Sequence, residues 1–131
     1  MSIELITAAL LNVAGVTSIV GDRRALSQLP QNTAMPAIVY DSVSTVPVIT
    51  MNAASGPQML ISRVQVTALA MTPGGVESIL TVVMAALNLK SGTYAGRLVA
   101  CVVRDTKNQI MRDNEASVWY GSQDFMVHWY E

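Results

Sequence analysis

Ile3, Ile6, Leu10 and Val13 recur at helical spacing and predict one apolar face on an N-terminal helix. Ser2 stands where a cap belongs, Glu4 suits the positive end of the helix dipole, and Gly15 predicts the stop. A short helical turn over Val16–Val20 follows, closed by Gly21, and Asp22 to Met35 reads as loop. The period then changes to two. A first strand is predicted over Pro36–Ser44, with Ile38, Tyr40 and Ser42 facing one way and Val39, Asp41 and Val43 the other. A second runs over Met59–Ala70, where Leu60, Val64, Val66 and Ala68 alternate with Arg63, Gln65 and Thr67.

Thr72-Pro73-Gly74-Gly75 opens another helix, with threonine as cap and proline at the first position. Val76, Ile79, Leu80, Val83 and Leu87 form its stripe, and it runs to about Asn88. Leu98–Asp105 is apolar on both faces, which predicts a central strand. Thr106–Gln109 and Arg112–Glu115 read as polar turns. Ala116–Tyr130 is the last strand, with a bulge expected near Gly121. The order is α-β-β-α-β-β. It predicts an α+β fold, a four-stranded antiparallel sheet with two helices packed on one face, and a long connection, Val46 to Gln58, between the first two strands.

Composition narrows the function classes. The chain has 131 residues, one domain's worth, so 1–131 is read as a single domain. Hydrophobic residues make up 51% and charged residues only 13%, about half the ~25% usual in soluble proteins. Disorder is excluded on that balance. The net charge of −1 leaves no cationic excess for non-specific nucleic-acid binding. The start, Met1-Ser2-Ile3-Glu4, carries an acid where a signal peptide has a basic region. No run of ~18 apolar residues predicts a membrane span. A soluble protein made in a cytoplasm is the expectation.

The motifs of catalysis are missing. The sequence holds no GxxxxGK[ST] loop, no GxGxxG after a strand, no HExxH, no CxxC and no GxSxG elbow. One histidine, His128, and one cysteine, Cys101, cannot build a common zinc site. Cys101 lies in an apolar run and reads as a buried thiol, and His128 as a residue of a partly exposed strand face. Asp105, Asp113 and Glu115 cluster where turns are polar anyway. No enzyme, cofactor or metal is expected.

The stronger signal is an uncharged stretch. From Ser42 to Val76 only Arg63 carries charge. A connection between strands normally runs over the surface, yet this one holds Val46, Val48, Ile49, Met51 and Asn52, with Met59 just beyond it. An uncharged surface segment of that kind is a candidate contact surface, or else folds back on its own core. Arg23 and Arg24 are too few for a nucleic-acid patch. In a closed oligomer, symmetry would multiply them into a ring of positive charge at a pore or a seam.

Several blocks, in order, carry a resemblance. They are Leu10-Leu11, Val16-Thr17-Ser18-Ile19-Val20-Gly21-Asp22-Arg23, Leu29-Pro30-Gln31, and Met35-Pro36-Ala37-Ile38-Val39-Tyr40. Next come Ser62-Arg63-Val64-Gln65-Val66 with a helix ending Ala85-Ala86-Leu87-Asn88, and Asp124-Phe125-Met126-Val127-His128-Trp129-Tyr130 at the C-terminus. The chain resembles the bacteriophage tail-completion or tail-terminator proteins, including the lambda-type terminator and the tail-to-head joining proteins of long-tailed phages. Ala37 stands where that family often has an aromatic, and Ala68-Leu69-Ala70 replaces a more polar strand end.

The resemblance implies a structural virion protein at the head-proximal end of the tail, assembled in the host bacterial cytoplasm. It implies a homo-hexameric ring that caps the tail tube, stops its polymerisation and meets the head-completion or connector protein. DNA would only pass through the lumen, and no membrane is involved. The alternatives are another head–tail connector adaptor, or a small α+β domain or enzyme that binds an anion at the Thr72–Gly75 turn and the arginine pair.

Overall fold

A computed structural model describes residues 2–29, 34–48 and 58–130. Three helices, α1 (Ser2–Leu11), α2 (Ala14–Val20) and α3 (Pro73–Leu87), combine with seven strands. The strands are β1 (Arg24–Leu26), β2 (Ala37–Pro47), β3 (Met59–Ala70), β4 (Gly92–Tyr94), β5 (Arg97–Lys107), β6 (Met111–Asp113) and β7 (Val118–Tyr130). One sheet runs in the order β1-β2-β3-β7-β5-β4, with β6 beside the N-terminal part of β7.

The expected α+β class is present, but the expected four-stranded sheet is too small. β1, β4 and β6 each have three residues, too short to carry a period; β1 lies in the expected Asp22–Met35 loop and β6 overlaps the expected Arg112–Glu115 turn. β1 lies parallel to β2, and the other pairings are antiparallel. The central strands are β3 and β7, not β5. β5 lies one place from the edge, and it is not covered on both faces: Val99 and Val102 face the helices and are buried, while Leu98 and Val103 are exposed.

The helices lie on one sheet face. Leu60, Ser62, Val64, Val66 and Ala68 of β3 alternate into the core with Gln123, Phe125, Val127 and Trp129 of β7. Ile3, Ile6, Leu10 and Leu11 of α1, Val16 and Val20 of α2 and the α3 stripe complete that core. α1 ends at Leu11, earlier than the glycine predicted, and the chain bends 83° into α2, which contains Gly15. No single helix is long and apolar enough to cross a membrane among the described residues. The Thr72 cap forms as expected: its side chain accepts the Gly75 N–H at 3.0 Å.

Gly121 marks no bulge. The β3–β7 register runs unbroken from Met59↔Tyr130 to Ala70↔Trp119. A Cβ at Gly121 would stand 3.1 Å from both Val76 and Ile110, so glycine is needed there because α3 packs directly on the strand. The bulges fall instead at Val43 in β2 and in β5. β2 continues to Pro47, and Val48 N–H donates to Met59 C=O at 2.9 Å. β2 therefore extends into what the sequence suggests is loop, while β3 begins at Met59 as expected.

Candidate assembly surfaces

Strand alternation that fills the core must present the other set of residues on the opposite face. No described helix covers that face. Register fixes its rows: Val46, Ile61, His128 and Cys101 lie side by side, next to a row of Ser44, Arg63, Met126 and Val103. Met59 and Tyr130 form a pair at one end, and Asp41, Gln65, Asp124 and Thr106 form a polar row further along. One end of the open face is thus largely apolar, and the middle carries ions.

Val46, at 57% exposure, belongs to this surface as a β2 residue rather than to a loop, and half-buried Met59 begins β3. Val48 is half-buried at the end of the ribbon. Ile49, Met51 and Asn52 lie outside the described residues. Sequence reasoning put Met126 and His128 on the outward face of the last strand. It did not find that Val103 and Ile61 join them, because the register between distant strands sets those rows.

Three charges on this face are tied together. Arg63 reaches from β3 to Asp105 on β5 at 2.6 Å and to Asp124 on β7 at 3.1 Å. The hydrogen bond from Arg63, and then that from Thr106, hold the Asp105 carboxyl below its ordinary value. The same bond to Asp105, and then the one to Asp124, raise the guanidinium pKa. An ion cluster spanning three strands thus ties β3 to β5 and β7.

Arg23 and Arg24 have a local task. Arg23 donates to Pro36 C=O at 2.7 Å and to Ile19 C=O, near the end of α2, at 3.2 Å. Arg24 donates to Gly21 C=O at 2.9 Å and to Leu11 C=O, the end of α1, at 3.1 Å. Two cations thus satisfy carbonyls at two helix C-termini, where the dipole favours positive charge. The sequence signal for this is an arginine pair that directly follows two short helices. Among the described residues neither arginine pairs with a carboxylate.

Among the described residues no catalytic constellation comes together. Cys101 Sγ lies 3.4 Å from His128 Nδ1 on the open face, and Cys101 is half-buried rather than a core residue. No third group orients the imidazole among the described residues, and no cluster of three metal ligands forms there. A cleft of about 390 Å³ beside α1 is lined by Ala8, Ala9, Leu11, Asn12, Arg24 and Tyr40, which include no nucleophile–base pair. At the Thr72–Gly75 turn the Gly75 amide is held by Thr72 itself.

The described residues thus form a helix-backed sheet whose bare face carries an apolar end and an ion cluster. The sequence model of the family described as "Tail completion protein gp17" matches residues 4–130, and the chain belongs to that family. It is a bacteriophage tail-completion protein, a structural component of the virion. The fold is also that of a solved chain from the virion of a native gene transfer agent (GTA) particle. The TM-score is 0.73 at 10% identity, over 98% of this chain and 97% of that one. No curated protein matches the sequence.

Proposed function

We propose that the protein is a ring-forming tail terminator, at the head-proximal end of the tail, that caps the tail tube, stops its polymerisation and offers its other side to the head-completion or connector protein. The observation that carries this reading is the bare, largely apolar end of the sheet formed by Val46, Met59, Ile61, Met126 and Tyr130. Apolar surface of this kind is buried when a neighbour covers it, and a tail-completion protein's neighbours are other virion proteins.

Six copies close a ring in the host bacterial cytoplasm. The β2–β3 ribbon, with Val46, Val48 and Met59 and the connection that holds Ile49, Met51 and Asn52, contacts the tube or adjoining subunits. Arg23 and Arg24 face the lumen or the seam, their guanidinium groups fixed by backbone carbonyls. Symmetry multiplies this fixed positive charge around passing DNA, which needs attraction but no sequence readout. Termination is steric: once the ring covers the last tube subunit, no further subunit can add.

Negative-stain images of tail tubes mixed with the purified protein test the reading. The expected result is ring-shaped density at one tube end and a halt to elongation when the protein is added during tube growth. Bare ends and continued elongation would overturn it.

A further inference from the structure

We infer that neighbouring copies join head to tail, with the outer edge of β2 on one copy receiving the Asn88–Tyr94 ridge of the next; this rests on the ring reading above. The two lateral edges of the sheet differ. On the β5 side the chain closes its own edge. β4 pairs with Arg97–Val99, Leu89 N–H donates to Val102 C=O at 2.7 Å, and Val102 N–H donates to Lys90 C=O at 3.1 Å. Asn88 Oδ1 accepts from Arg104 N–H at 3.0 Å. Asn88–Tyr94 therefore projects from that side as a ridge.

On the β2 side, β1 covers only Ile38–Tyr40, and Ser27 N–H adds a bond to Tyr40 C=O. From Asp41 to Pro47 no described residue bonds to the outer edge. Edges left open in this way are commonly guarded by lysine, and this one has none.

Three observations match the ridge to this recess. First, they lie at the same level: Val102, which holds Leu89 and Lys90, is opposite Val127, and Val46 lies in the adjoining row with His128. Second, both carry uncovered apolar side chains. Val43 and Val46 are more than half exposed, and Leu89 is 75% exposed while held at a left-handed φ of 62°. Leu89 follows the C-cap of α3, where the helix ends in a left-handed turn held by its bond to Val102, and that turn leaves a large apolar side chain uncovered and available to a neighbour. Third, the charges are opposite. Asp41, three rows along the sheet from the level of Val102, is the only charge over 36–48, and Lys90 is the only charge over 88–94. Neither makes an ion pair among the described residues. Recess and ridge stand on opposite sides of one sheet, so their contact is heterologous and propagates around a ring.

The test is Val46→Cys combined with Leu89→Cys in a Cys101→Ser background; the two new cysteines replace exposed side chains. Mild oxidation should give a ladder of covalent multimers from the double variant and none from either single variant. Asp41→Lys should raise the concentration for half-assembly about tenfold by placing like charges together, and adding Lys90→Asp should restore it. Rings at tube ends without a ladder would overturn the edge contact and leave the terminator reading standing. A ladder from Val46→Cys alone would also overturn it, because β2 would then meet β2. A ladder without tube-end density would support the contact and remove the terminator reading.

Discussion

The two faces of one sheet have opposite fates within a single chain. On β3, Leu60, Ser62, Val64, Val66 and Ala68 are buried beneath the helices, while Met59, Ile61, Arg63, Gln65 and Thr67 remain half-covered by their neighbours alone. The inward face satisfies even its polar atoms. Trp129 Nε1–H donates to Ser62 Oγ at 2.9 Å, the Thr45 and Ser62 hydroxyls lie 2.8 Å apart, and Gln123 donates to Leu80 C=O at 2.8 Å. The outward face instead mixes an apolar end with an ion cluster. Folding of one subunit needs the first face; the second is left for other subunits.

The contrast can be broken by mutation. Phe125→Ala, in the fully buried centre, should cost about 3–5 kcal/mol of unfolding free energy. Ile61→Ala, on the open face, should cost less than about 1 kcal/mol in the isolated subunit. Urea titration of both variants checks this, and equal losses would mean that the open face is not open. Ser62→Ala strands the buried Trp129 N–H and should cost about 1–3 kcal/mol in the same titration. Gly121→Val forces α3 away from β7 and should cost about 1–3 kcal/mol, read as a lowered Tm.

The smallest effect is that of pH. The Asp105 carboxyl titrates below its ordinary 3.8 in the folded chain. Its contribution is therefore present above that value and lost as pH falls through the lower, folded pKa. Arg63→Ala should flatten this acid limb slightly, because the pair is partly solvent-exposed. An unchanged acid titration would remove Arg63 from the account of how the open face is held.

Long periodic segments were legible in the sequence. β3, α3 and β7 carry enough repeats of their period to identify type, extent and inward face, and the Thr72-Pro73 start of α3 is a local rule that the fold obeys. The run of low charge likewise pointed to assembly rather than catalysis, and the ordered blocks pointed to the tail-completion family. What the sequence alone did not settle is whatever depends on partners far along the chain. Three-residue β1, β4 and β6 exist only because a neighbouring strand offers them hydrogen bonds. Gly121 reads as a bulge until α3 is seen lying on it, and Arg23 and Arg24 read as free charge until the helix ends are seen beneath them. Local periodicity encodes which side of an element is apolar. Only tertiary register decides which side is covered, which edge stays open, and therefore which surface remains for the rest of the tail.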